Sequence, residues 1–161
     1  GNIELTSEGF PRSDRYFDEL PGVFHESALL DRFHGFIEGW LLPRMNNDMI
    51  LRDWTINVEF FSEVMHKLRV APEYAELVNN AIQVPAKADT RHLNAVKRIA
   101  TAYCKLLFPH LTSADQIDKA EFDRFCLQPA IHRRDQVRQQ CANIDNESSF
   151  SKPMPDIRVK L

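Results

Sequence analysis

The sequence is short of cysteine and glycine and has no long hydrophobic run, and each shortage excludes something. Its three cysteines, Cys104, Cys126 and Cys141, are widely spaced and form no CxxC pair, which argues against a disulfide framework or a zinc site and fits free thiols in a reducing cytoplasm. No apolar stretch approaches the roughly 20 residues of a membrane span and no signal peptide opens the chain, so a soluble, cytoplasmic protein with no membrane partner is expected. An excess of positive charge is missing too. Lys and Arg total 20 against 23 Asp and Glu, a net charge of -3, which excludes nucleic-acid binding by bulk charge and leaves only a local basic patch open.

The signatures of self-contained catalysis are also absent. There is no GxxxxGK[ST] loop to cradle phosphates and no GxSxG elbow, and His25-Glu26 lacks the second histidine of an HExxH motif. None of the six histidines forms an i, i+4 pair, so no helical metal site is expected.

What is present is helical periodicity, in a chain of 161 residues that suits one ordinary domain or parts of two. Residues 1–52 hold most of the glycines and several prolines and read as loops around one helix, with "FHGFIEGWLL" able to supply one short strand. From Asp53, a plausible N-cap, Ile56, Phe60, Val64 and Leu68 recur every four residues, with Phe61 and Met65 widening the stripe. A second helix starts near Pro72, turns Tyr74, Leu77, Val78, Ala81 and Ile82 inward, and stops by Val84, ahead of Pro85. A third opens at Asp89 or Thr90 and runs through Leu93, Val96, Ala100, Tyr103 and Leu107 until Pro109. Ile56, Phe60 and Val64 are expected to pack with Leu93, Val96 and Ala100. Ser113 and Gln116 form a capping-box pattern for a fourth helix to Phe125, and Pro129 starts a fifth through Val137 and Ile144. From Glu147 the chain has two prolines and no period, and reads as a disordered tail.

On the residues alone, this is a mainly α-helical binding or structural module. Its basic stretch is "HRRDQVR", where Arg133, Arg134 and Arg138 partly share a helix face, either as a DNA- or protein-binding patch or as a solvated face that Asp135 interrupts. Two further arginines are oddly placed. Arg32 follows "ALLD" beside an apolar stripe, and Arg91 sits in the first turn of the long helix, where a cation opposes the macrodipole unless a carboxylate such as Asp89 compensates it.

At these arginines the sequence resembles the AAA+ ATPases, especially the Lon-related group. "SALLDRF" is similar to the "PLLDRM" or "ALLDRF" segment of that group, and "DTRHLNAVKRI" is similar to its sensor-2 helix, with Arg91 and Leu93 at the matching spacing. The opening "GNI" resembles the end of the sensor-1 strand. The similarity is closer still to the BrxL Lon-like ATPases of BREX phage-defence systems, through "DRFHGFIEGW" and "KLLFPH", and spans residues 1–110.

The resemblance implies the loop-rich end of a large AAA+ subdomain over 1–52, a helical lid over 53–110, a helical extension over 111–146 and a tail over 147–161. It implies roles as well. Asn2 takes the sensor-1 position and orients the attacking water, Arg32 is an arginine finger reaching the neighbouring subunit's nucleotide, and Arg91 contacts the γ-phosphate from the lid. ATP and Mg²⁺ are the implied cofactors of the parent protein, a homo-oligomeric ring its assembly, and DNA or protein its substrate. The phosphate loop and acidic pair of such ATPases precede sensor 1, so the chain is expected to be the C-terminal part of an ATPase module and to hydrolyse no ATP by itself. A Lon-type Ser-Lys protease dyad lies in a Gly-rich domain after the lid. With five glycines, none near the C-terminus, this chain is not expected to contain it.

Overall fold

Cap residues and prolines decide where the helices start. In the computed structural model, which describes residues 3–145 and 150–160, the helices are α1 (Ser27–Leu30), α2 (Val58–Arg69), α3 (Glu73–Ala81), α4 (Thr90–Leu107), α5 (Lys119–Phe122) and α6 (Gln128–Ile144). Pro72 occupies the N-cap of α3, with Glu73 and Glu76 complementing the positive end of its dipole. Asp89 caps α4, its Oδ1 accepting from the backbone N–H groups of Arg91 at 2.7 Å and His92 at 3.3 Å. The fold is mainly helical, as the periodicity predicts.

The main core lies where α3, α4 and α5–α6 meet. Leu77, Val78 and Ala81 of α3 pack against Val96, Ala100 and Cys104 of α4 and against Phe122 and Leu127 behind them. Each such Leu, Val or Phe removed from water contributes about 1.5–3 kcal/mol. All five inward positions predicted for the second helix are buried. The Tyr74 hydroxyl donates to the Pro109 carbonyl at 2.7 Å, which pins α3 to the chain just past the end of α4.

The structure corrects the sequence in five places. First, α2 is capped by Asn57, whose Oδ1 accepts from the Phe60 N–H at 3.0 Å, rather than by Asp53, and it buries none of its residues. Ile56 and Phe60 are 68% and 69% exposed, so the expected packing of Ile56, Phe60 and Val64 on α4 does not form. Periodicity marks which face is apolar, and α3 with α5–α6 already fills the space beside α4. Phe60→Ala should therefore change unfolding free energy by less than about 0.5 kcal/mol in a urea titration. A loss of roughly 3–5 kcal/mol, as for a core phenylalanine, would mean that another surface covers the ring in solution.

Second, "FHGFIEGWLL" forms a loop with a 3₁₀ turn at Gly39–Leu41 and no strand. Third, the Ser113–Gln116 pattern closes only a 3₁₀ turn (Ala114–Gln116); the cap of the next helix is Asp118, which accepts from the Glu121 N–H at 2.9 Å. Fourth, Pro129 does not begin a separate helix. A π-turn over Asp123–Leu127 joins α5 to α6, with the Gln128 N–H reaching back to the Asp123 carbonyl, and this widening absorbs the proline ring.

Fifth, the final segment is ordered over 150–160. Phe150 and Ile157 are buried, and β2 (Arg158–Val159) pairs antiparallel with β1 (Ile82–Gln83), with Ile82 opposite Val159 and Gln83 opposite Arg158. The Lys160 N–H also donates to the Ala81 carbonyl at 2.7 Å. An extended strap that docks through two residues leaves no period to read.

Candidate functional site

A charged cluster ties the N-terminal segment to the helices. From Ile3 to Arg52 only Leu30 and Asp31 are buried, and both belong to the turn at the end of α1. Leu30 packs with Val137 and Cys141 of α6 and with Phe150 of the strap. Asp31 follows it inward, and its carboxylate is shared: Oδ1 accepts from Arg134 of α6 and Oδ2 from Arg91 of α4.

Arg134 is the centre of this cluster, at 1% exposure. It stands on the inward stripe of α6 with Ala130, Val137 and Cys141. Its Nε donates to His92 Nδ1 at 2.9 Å, and its Nη1 donates to the carbonyls of Asp31 at 3.0 Å and Phe33 at 2.7 Å. Every polar edge of the guanidinium is thus used, as a buried charge requires. Gly35 makes this approach possible. A Cβ there would stand 2.8 Å from the Arg133 Cβ, so only a glycine lets the loop after α1 lie flat on α6.

Burial pushes the Asp31 carboxyl up, but the hydrogen bonds and charges of Arg91 and Arg134 outweigh it and hold it below the usual carboxylate range. Burial and the Arg134 charge depress His92. Its Nδ1 accepts from Arg134, which fixes the neutral tautomer with the proton on Nε2. The native state therefore holds fewer protons than the unfolded chain just below the ordinary histidine value of about 6.5. The contribution of neutral His92 is present above that pH and is lost as pH falls below it; that of ionised Asp31 is lost only below its ordinary value of 3.8. The urea midpoint should fall between about pH 7 and about pH 5, and fall less in His92→Gln, whose amide oxygen still accepts from Arg134. Equal falls in both proteins would show that His92 takes no part.

The site residues read from the sequence stand as follows. Asn2 lies outside the described residues. Arg32 is exposed, directly after buried Asp31, and its guanidinium donates to the Ala28 carbonyl of its own helix. Arg91 bonds Asp31 rather than Asp89, whose carboxylate takes backbone N–H groups instead. The two arginines picked out by their odd placement thus meet at one carboxylate, Arg32 through the chain and Arg91 through an ion pair.

The three arginines of the "HRRDQVR" stretch are bonded within the fold, so the stretch is not simply a solvated face. Arg134 is buried, Arg133 pairs with Glu38 at 3.1 Å, and Arg138 bonds Asp135 at 2.6 Å and the Phe150 carbonyl at 2.7 Å. These arginines hold the N-terminal loop and the C-terminal strap onto α6. Reasoning from sequence missed Asp31 and His92, and it placed Arg134 on a basic face rather than in a buried cluster. A signal was there, since Arg134 interrupts the Ala130, Val137, Cys141 stripe just as Asp31 interrupts that of α1. Among the described residues, no group of three or more His, Cys, Asp or Glu is placed to hold a metal ion, and no helix is long and apolar enough to cross a membrane.

The profile of the ATPase domain of BrxL-like Lon-like proteases matches residues 1–154. The chain is 24% identical over 150 residues to the Lon-like protease BrxL of Escherichia coli O9:H4 (strain HS), covering 93% of this chain and 21% of that protein. It is 22% identical over 111 residues to the Lon-like protease BrxL of Bacillus cereus (strain H3081.97), covering 68% of this chain and 16% of that protein. The chain thus spans about a fifth of the length of these relatives or less.

Proposed function

Because the chain belongs to the ATPase-domain family of the BrxL-like Lon-like proteases, we propose that it supplies the arginines of an AAA+ ATP hydrolase that works as a homo-oligomeric ring. In this reading residues 1–52 close the large subdomain, 53–110 form the lid, and the ring turns hydrolysis into work on DNA in phage defence.

The observation that carries the reading is the seat of Arg32. An arginine finger must project from the subunit edge yet stand on a rigid base, because a misplacement of about 1 Å is enough to lose much of its effect. Arg32 is exposed, while the two residues before it, Leu30 and Asp31, are buried and bonded to three helices' worth of structure through α1, α4 and α6. A planar, permanently charged guanidinium matches the oxygens of a phosphoryl group in transfer.

Arg91 sits in the first turn of α4 with its side chain 63% exposed, where it can hold a γ-phosphate oxygen of its own subunit's nucleotide. These donors suit the phosphates and not Mg²⁺, since Asp31, the carboxylate between them, is already taken by two arginines. Bound ATP supplies the phosphoryl group, with Mg²⁺ held elsewhere in the parent protein. Arg32 stabilises the charge that develops on the neighbour's transferred group, and Arg91 reads whether the γ-phosphate is present. Asn2 would orient the attacking water.

Mixed rings test this. Full-length Arg32→Ala and Arg91→Ala proteins should each be inactive, and mixing them should restore turnover where an intact Arg32 faces an intact Arg91 across an interface. Two active variants would sink the reading. Failure of mixed rings to recover would place Arg32 in its own subunit's site.

A further inference from the structure

We propose that the cavity between the C-terminal strap and the start of α4 binds a phosphate monoester of a small molecule, apart from the ATP chemistry described above. The cavity holds about 380 Å³, the size of a small-molecule pocket rather than of a bare phosphate ion. The loop between β1 and α4 gives it Lys87 and Asp89, the strap gives it Lys152, and α4 gives it His92. Arg32, Arg91 and Asp31 are not on its lining.

The group that points to a ligand is His92. Its ring is more than nine-tenths buried, at 7% exposure, and its Nδ1 accepts from Arg134, so Nε2 carries the proton. That N–H has no partner among the described residues. Every fully buried side-chain nitrogen and oxygen among them is bonded, so the Nε2–H reaches open space, and the cavity is the space that His92 lines. A fixed, unused donor in a pocket calls for an acceptor.

Charge makes that acceptor an anion. Lys87 and Lys152 are exposed and make no hydrogen bond or ion pair with the described residues, and Asp89 is the one carboxylate on the lining. Two lysines against one aspartate, with His92 neutral, leave a net charge of +1. The Asp89 Oδ1 is taken by the backbone N–H groups of Arg91 and His92, which turns it to the helix rather than to a ligand. Two ammonium groups and one N–H are point donors with no planar fork among them, a set that matches a tetrahedral phosphate better than a carboxylate. The rings of Pro85, Pro153 and Pro155 supply apolar walls for the organic body of the ester. Because loop and strap each give a lysine, the bound phosphate bridges the strap to α4 and opposes its undocking.

An NMR titration of the 161-residue chain with inorganic phosphate, phenyl phosphate and phenol, at constant ionic strength, tests this. Both phosphates should shift the His92 Nε2–H signal saturably, and phenol should leave it in place. Phenyl phosphate should bind about tenfold more tightly than inorganic phosphate, since its ring covers the prolines. The double variant Lys87→Gln/Lys152→Gln, which changes only exposed side chains, should bind both at least about tenfold more weakly. At ten times the half-saturating concentration of phenyl phosphate, hydrogen exchange of the Lys160 N–H, which holds the strap to the Ala81 carbonyl, should slow about tenfold. No saturable shift at His92, an equal shift with phenol, or an affinity that the double variant retains overturns the proposal. Equal affinities for the two phosphates overturn the monoester, and unchanged Lys160 exchange overturns the bridging of strap to α4.

Discussion

Replacing Arg32 by Ala in the full-length protein is expected to lower ATP turnover by about three to five orders of magnitude while leaving nucleotide affinity nearly unchanged. That loss corresponds to about 4–7 kcal/mol of transition-state stabilisation at roughly 1.4 kcal/mol per tenfold. The effect falls on turnover because charge builds on the transferred group only as the bond to the leaving phosphate breaks. A guanidinium aimed at that charge binds the transition state more tightly than the ground state. The exposed side chain makes a single described hydrogen bond, to Ala28 of its own turn, so the substitution should leave the fold intact. Single-turnover kinetics with a separate nucleotide-binding titration would check this. If more than about a tenth of wild-type turnover survives, the loss is under about 1.4 kcal/mol, and Arg32 is a surface charge folded onto its own helix.

Arg134→Met is expected to be the most damaging change to stability, at about 3–5 kcal/mol in urea unfolding. Methionine matches the stem of arginine and fills much of the same space, so little of the loss comes from packing. It comes from what is left behind. The Asp31 carboxylate loses its buried partner, the carbonyls of Asp31 and Phe33 lose their donor, and His92 Nδ1 is orphaned. Against a total stability of about 5–15 kcal/mol for a typical domain, this approaches the unfolding threshold. Adding Asp31→Asn removes the stranded charge, so the double variant should lose less than the sum of the singles by about 0.5–3 kcal/mol. A single-variant loss below about 1 kcal/mol would mean that water reaches the cluster and that Arg134 is not the buried strut described here.

Much of the helical framework was legible in the sequence. Pro72, Asp89 and Pro109 are signals that act within one turn of the chain, and they bracket α3 and α4 wherever the rest of the molecule lies. The inward faces of these helices were legible for the same reason, since a helix with one apolar stripe turns it toward whatever core exists. The candidate site was legible in halves. Arg32 and Arg91 stood out because each breaks a local rule, one beside an apolar stripe and the other against a helix dipole. Neither anomaly names its partner, and the partner proved to be the residue next to Arg32 in the chain, reached from α4 across 60 positions.

What the sequence alone determined is therefore local: helix starts and stops, the polarity of each face, and the misfit of certain charges. Tertiary structure decided which apolar face is covered, leaving Phe60 in solvent although its period matches that of buried Val96. It decided that Pro129 lies within a continuous helix, because a π-turn can widen one ladder step at the cost of a bond elsewhere. It also turned "HRRDQVR" from a stretch of charge into three ties, since a buried guanidinium is stable only where carboxylates and carbonyls from distant segments converge on it. Such convergence depends on the position of the backbone in space, and no pattern of period 2 or 3.6 along one segment records it.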